Sequence, residues 1–230
     1  MEIIVPAAGA SSRFPGMKPK YLLRDNTGQM MLYRALVPYL NKLSITVGIL
    51  AEHNELHNAA DELNKEFNNT LNIVILPELT KGPADTVYEI VTRANIDQTH
   101  SMLIKDCDSF FDHDMSSGNY VCVSTIQEHT ILHRVHNKSF IVSNDQNIVQ
   151  HIVEKKVVSD KFSVGGYKFE KIADYLTTYE TIKAEITNEI FVSHIIEYAI
   201  NEGMVFETKV VRNYVDVGTL DEWNLHNVSI

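Results

Sequence analysis

The sequence predicts an α/β protein, Rossmann-like, with a mixed but mainly parallel sheet flanked by helices. Three observations predict it. Short apolar runs alternate with helical patterns over about the first 110 residues, an order that favours parallel strands with helices on both faces. The first apolar run ends in a loop, residues 9–20, that holds two glycines, two serines and two prolines. The second half changes to short strand-like runs separated by polar turns, so the sheet is mixed.

Residues 2–8 form a short apolar run that reads as a buried strand. Residues 30–40 carry Met31, Leu32, Ala35, Leu36, Tyr39 and Leu40 at helical spacing, and Pro38 weakens the last turn. A second strand covers 45–51. Residues 53–67 read as one helix with Leu56, Ala59, Ala60, Leu63 and Phe67 along one side. A strand at 71–76 follows. Gly82-Pro83 then opens a helix to about residue 94, with proline well placed in its first turn. The strand at 102–105 delivers Asp106-Cys107-Asp108 at its end. Beyond it, strands are expected at 120–125, 140–142, 148–153 and 162–169, helices at 172–179 and 189–201, and a strand at 205–211. A turn at 214–219 and a short helix close the chain. With no Gly/Ser-rich linker and no repeat, residues 1–230 read as one domain.

The bulk numbers narrow the function. Of 230 residues, 44% are hydrophobic and 22% charged, which is ordinary for a globular protein. No apolar stretch approaches the roughly 20 residues of a membrane helix, and the opening residues do not read as a signal peptide. The expected location is the cytoplasm. A formal net charge of −10 argues against nucleic-acid binding. Arg13, Lys18, Lys20 and Arg24 nevertheless cluster near the N-terminus, which suits either a small anionic ligand or a solvated charged loop. Cys107 and Cys122 form no CxxC pair and read as buried free thiols. The tightest histidine group, His129, His133 and His136, has no cysteine beside it and reads as strand or turn rather than a zinc site.

The chemistry concentrates in Ala7-Ala8-Gly9-Ala10-Ser11-Ser12-Arg13-Phe14 and the following Lys18-Pro19-Lys20-Tyr21-Leu22. A strand feeding such a loop leaves backbone N–H groups free for phosphate oxygens. Arg13 can fork two donors onto a phosphate, and Lys20 adds a compact charge. The loop has neither a P-loop nor a GxGxxG pattern, and an ordinary strand-to-helix turn fits the same residues.

This segment resembles the signature of the sugar-phosphate nucleotidyltransferase superfamily, A-G-x-(G/S)-(T/S)-R followed by P-K-x-L. Further stretches match in order: Thr80-Lys81-Gly82-Pro83-Ala84-Asp85-Thr86, Lys105-Asp106-Cys107-Asp108-Ser109-Phe110-Phe111, Val153-Glu154-Lys155 with Gly165-Gly166-Tyr167-Lys168-Phe169, and Tyr214-Val215-Asp216-Val217-Gly218-Thr219. The resemblance spans nearly the whole chain. It departs from the family where Cys107 replaces glycine, Asp85 stands at a frequent glutamine, and Lys156 replaces proline.

The resemblance implies a GT-A-like nucleotidyltransferase fold, with residues 1–118 as a nucleotide half and 119–230 as an acceptor half. It implies transfer of a nucleoside monophosphate from an NTP to a small phosphorylated acceptor, such as a sugar 1-phosphate for surface polysaccharide precursors. Short chains of this kind are also similar to cytidylyltransferases that use phosphocholine. Asp108 and Asp216 are the implied ligands of Mg2+, whose hard charge suits carboxylates plus substrate phosphates. Arg13 and Lys20 are the implied catalytic cations. Ala8, Gly9, Ala10, Ser11, Ser12, Gly82, Pro83, Asp85 and Asp106 fall on the nucleotide side. Glu154, Lys155, Gly166 and Glu189 fall on the acceptor side. Structural alternatives fit some of these residues: a helix N-cap for Asp108, a turn for Asp216, a strand-end carboxylate for Asp106, and a surface helix for Glu189.

The expected nucleotide is a pyrimidine, with CTP first. Asp85 can accept from the cytosine amine but cannot donate to a uracil carbonyl, although the same residue would also suit the first turn of its helix. No nucleic-acid or membrane partner is expected, and the chain should be a monomer or homodimer. The competing readings are a metal-dependent GT-A glycosyltransferase, for which Asp106-Cys107-Asp108 would be the metal motif, and a non-catalytic subunit that binds nucleotide-sugars.

Overall fold

The computed structural model describes residues 1–128 and 135–228. Four parallel strands form the centre: β1 (Glu2–Pro6), β2 (Ser44–Leu50), β3 (Asn72–Leu76) and β4 (Met102–Lys105), side by side in the order β4-β1-β2-β3. Between them run α1 (Met31–Leu36), α2 (Ala51–His57), α3 (Ala59–Glu66) and α4 (Pro83–Arg93). Ile3, Ile4 and Val5 are fully buried, as expected for a strand covered on both faces. The pleat sends Ile3 and Val5 into one core with Leu32, Leu36 and Leu63, and Ile4 into the opposite core with Ile90, Tyr175 and Ile195.

The second half contributes β5 (Ser109–Asp112), β6 (Asn119–Thr125), β7 (Ser139–Ser143), β8 (Val149–Glu154), β9 (Lys161–Phe169), α5 (Ile172–Ile182), α6 (Val192–Asn201), β10 (Phe206–Val210), β11 (Arg212–Asp216) and α7 (Leu220–Val228). Strand β9 lies antiparallel between β4 and β6, and β10 is parallel to β6. Strands from both halves thus share one nine-stranded sheet, with β7 and β8 paired off β9. The α/β alternation of the sequence is the alternation of the fold.

Four local expectations are corrected. The expected helix at 53–67 is two helices, α2 and α3, broken at Asn58, which adopts a left-handed φ of 50°. Asparagine tolerates that conformation, and the Asn54 side chain accepts from the Ala60 N–H at 3.0 Å to set the new direction. Leu56 consequently leaves the apolar side and is 68% exposed. Helix α1 gives way at residue 37 to a 3-10 turn containing Pro38. The helix expected from 189 starts at Val192, so Glu189 stands on a loop. The expected turn at 214–219 is partly strand: β11 pairs antiparallel with β5, a strand the apolar pattern does not reveal. His129 and His133 lie outside the described residues, and among the described residues no group of three or more His, Cys, Asp or Glu could hold a metal.

Candidate active site

A cleft of about 670 Å3 opens at the carboxyl ends of β1 and β4, the usual ligand position in an open α/β sheet. Residues 7–14 leave β1 and pass along its rim. Ser11 takes a left-handed φ of 50°, its carbonyl accepts from Phe14 N–H at 2.9 Å, and its hydroxyl accepts from Lys20 N–H at 3.1 Å. Phe14 is buried against Phe110, Val217 and Trp223 and so anchors the loop from below. Ala8, Gly9, Ala10, Ser11, Ser12, Arg13 and Lys20 all line the cleft. Arg13 is exposed there and has no ion-pair partner among the described residues. The other two cations of the basic cluster are spent elsewhere: Lys18 pairs with Glu62 and Arg24 with Glu66, both on α3.

Strand β4 ends in Lys105, which is fully buried. Its ammonium donates to the carbonyls of Asp106 and Ser109 and to the Ser109 hydroxyl, at 2.8, 2.6 and 2.9 Å, and lies over the Phe111 ring. Burial pulls this lysine down to about 8 against the opposing pull of Asp106 and Asp108. The knot fixes the turn that presents Asp106 and Asp108. Pairing of β5 with β11 brings Asp216 opposite Ser109, and Val217 N–H donates to the Asp108 carbonyl at 3.0 Å. Thr219 then caps α7: Glu222 N–H donates to the Thr219 hydroxyl, which in turn donates to the Glu222 carboxylate.

The two acids converge. A β-carbon on Gly218 would lie 3.0 Å from Asp108 Oδ2 and 3.1 Å from Asp216 Oδ1. Two hard carboxylates facing one side-chain-free position fit a magnesium ion that draws its remaining ligands from phosphates and water. Lys20 donates to Asp108 Oδ2 at 2.5 Å, and Lys138 donates to Asp216 Oδ2 and to the Tyr214 hydroxyl. Burial alone would raise Asp108, but Lys20, with Lys138 and Lys105 farther off, holds its carboxyl below the usual range. Asp106 is pushed up by burial and by the charge of Asp108. It packs against Gly165, whose φ of +81° and lack of a side chain admit the carboxylate.

The loop at 79–83 forms the opposite wall. Gly82 has a φ of +132°, and a β-carbon there would stand 2.6 Å from the Ile190 carbonyl. Ile190 N–H donates to Lys81 O at 2.7 Å, and Ala84 N–H to Ile190 O at 3.0 Å. Gly82 and Pro83 line the cleft. Asp85 does not: Tyr179 donates to one of its oxygens and Lys81 N–H to the other, at 2.8 Å. Both oxygens are occupied in bracing the loop, which corrects the expectation that Asp85 reads the base.

On the remaining side, Glu154 accepts from the Ser139 and Ser193 hydroxyls. Lys155 adopts a φ of 54°, with its ammonium over the Phe191 ring and 3.7 Å from Glu189. Glu154, Lys155 and Glu189 line the cleft. Gly166 does not, a second correction. Its α-carbon faces Phe111 and Cys122 in the core, and its neighbour Gly165 faces the cleft. Lys138, Ser139 and Ser193 are cleft residues that motif reasoning missed. They sit at element ends with no distinguishing pattern around them.

This is the fold of sugar-phosphate nucleotidyltransferases. A nucleoside-diphosphate-sugar pyrophosphorylase from Vibrio cholerae RC9 superposes with a TM-score of 0.82 at 21% identity, covering 98% of this chain and 99% of that one. An inositol-1-phosphate CTP transferase from T. maritima gives 0.74 at 16% identity, with 96% and 90% covered. A UDP-glucose pyrophosphorylase complexed with UDP-glucose gives 0.71 at 14%, with 99% and 97% covered. No protein-family model matches the sequence, and a search of curated proteins finds no match.

Proposed function

We propose that the protein is a magnesium-dependent nucleotidyltransferase that moves a nucleoside monophosphate from a pyrimidine NTP to a small phosphorylated acceptor, such as a sugar 1-phosphate, and releases pyrophosphate. The observation that carries the reading is the meeting of Arg13 and Lys20 with the Asp108 and Asp216 carboxylates in one cleft. Proteins that superpose on the chain are described as acting on nucleoside diphosphate sugars and on CTP.

An acceptor phosphate oxygen attacks the α-phosphorus, and the bond from that phosphorus to the bridging oxygen of the β-phosphate breaks in line. The nucleophile is already an anion, so no general base is needed. Asp108 and Asp216 would hold the Mg2+ ion, which when bound offsets the negative charge of the phosphates. Arg13 and Lys20 stand where they stabilise charge on the transferring group and on the departing pyrophosphate. Lys155 binds the acceptor or α-phosphate, and Glu154, Gly165 and Glu189 face the acceptor. Backbone groups of Ala8 and Gly82 read the base. The loop at 79–83 is tied to Ile190, and the pyrimidine reading rests on the small and rigid Gly82-Pro83-Ala84 segment beside the base. With Asp85 engaged elsewhere, CTP loses its particular advantage over UTP.

Pyrophosphate release from each NTP across a panel of phosphorylated acceptors tests the proposal. CTP or UTP should be the best donor. Excess chelator, Asp108→Asn or Asp216→Asn should each lower turnover by orders of magnitude while leaving the fold intact. Full activity in chelator sinks the metal assignment, and tightest use of ATP or GTP sinks the pyrimidine assignment.

A further inference from the structure

Lys138 belongs to no motif, yet it supplies one of the two lysines paired with the carboxylates. It stands immediately before β7, and its ammonium is shared between the Tyr214 hydroxyl and Asp216 Oδ2. The Lys138 and Asp216 side chains are only 19% and 18% exposed. Asp216 Oδ1 accepts from Gly218 N–H at 3.0 Å. Each acid of the pair therefore carries one lysine, Lys20 on Asp108 and Lys138 on Asp216.

The two lysines are not equivalent. Lys20 stands beside the loop that faces the nucleotide, and phosphate oxygens can draw it off Asp108. Lys138 is held a second time by Tyr214, two residues before Asp216 on the same strand, so its ammonium stays aligned with that carboxylate. A divalent ion approaching the nucleotide-free protein meets an acid already neutralised and a positive charge fixed beside it. A triphosphate brings negative charge of its own and removes that disadvantage.

We propose that Lys138 is a tethered counter-cation of Asp216 that keeps the free protein from taking up a divalent ion, so that metal enters with the nucleotide and not before it. This rests on the reading of the cleft given above. A site held by an internal competitor binds metal more weakly, in proportion to the fraction left uncovered. Nucleotide and metal then strengthen one another's binding by the same factor. If Lys138 merely kept Asp216 in place, its removal would loosen metal binding. A counter-cation gives the opposite sign.

Mn2+ binding to the nucleotide-free full chain, read from the electron paramagnetic resonance of the free ion, tests this. K138M should bind Mn2+ about tenfold more tightly than wild type, or better. K138R should match wild type, and adding D216N to K138M should abolish the gain. K138Q repeats the test if the methionine variant melts early. Unchanged or weaker Mn2+ binding by both K138M and K138Q overturns the proposal. The transfer reading fails separately: a wild-type chain that releases no pyrophosphate from any NTP, while K138M still tightens Mn2+ binding, removes the reaction and leaves the counter-cation standing.

Discussion

Gly218 carries no side chain, and the carboxylates of Asp108 and Asp216 close over the place where one would begin. A methyl group there would sit 3.0 and 3.1 Å from their oxygens, so one acid has to move. The backbone at Gly218 needs no positive φ, and alanine is compatible with the chain's path. Gly218→Ala should therefore melt close to wild type while pyrophosphate release falls measurably, by less than the roughly 100-fold that a full ångström of displacement costs at a reacting centre, because the acids need give way by only a few tenths of an ångström. Wild-type turnover in that variant would separate the two acids from the chemistry. At this scale the sequence revealed charges better than orientations. Arg13, Lys20, Asp108 and Asp216 stand in segments that the family resemblance, more than residue chemistry alone, marked as a phosphate and metal site, and they all reach the cleft. Gly165 and Gly166 illustrate the limit. Neighbouring residues on a strand face opposite ways, so a one-residue ambiguity moved the assignment from the cleft to the core.

Elements were legible where apolar periodicity set them, as in β1, β2, β4 and α4. They were missed where a single polar side chain redirects the backbone, as at Asn58, or where strands are short and pair across the chain, as β5 does with β11. The turn at 25–29 is another side-chain construction. Asp25 is 7% exposed. Its Oδ1 accepts from Thr27 N–H, the Thr27 hydroxyl and Gln29 N–H, and its Oδ2 from Arg34. Burial would raise its carboxyl, but the Thr27 and Gln29 bonds and the Arg34 charge together hold it below the ordinary value of 3.8. Asp25→Ala should cost about 1–2 kcal/mol, since it removes the bonds that shape the turn and the partner of Arg34, while the donors on exposed Thr27 and Gln29 can turn to water. Because the carboxyl is lowered in the folded state, its contribution is complete above the unfolded value and fades as pH falls through the folded one. Urea titrations from pH 7 down to pH 3 should show the wild-type advantage over Asp25→Ala shrinking at the acid end. A pH-independent difference would mean that packing, not charge, is what Asp25 supplies.

Across the whole molecule, the sheet and its two cores are the part that alternation of strand and helix could reveal. The cleft is assembled differently, by closing distant segments onto each other. Phe14 from the loop after β1, Phe110 on β5, Val217 beside Asp216 and Trp223 on α7 form a small apolar cluster of their own, apart from the two large cores. Trp223 is the sole tryptophan in the chain and is 3% exposed. Its emission therefore reports the docking of the cleft-forming segments, while far-ultraviolet circular dichroism reports the sheet and helices. A small satellite cluster held by a two-stranded pairing should open before the main sheet. In urea, the fluorescence midpoint should precede the dichroism midpoint. Under the proposed function magnesium and nucleotide bind the closed form, and adding them should bring the two midpoints together. Coincident midpoints without ligand would show that cluster and sheet open as one unit. The molecule thus carries a native optical probe at the place where its cleft is assembled.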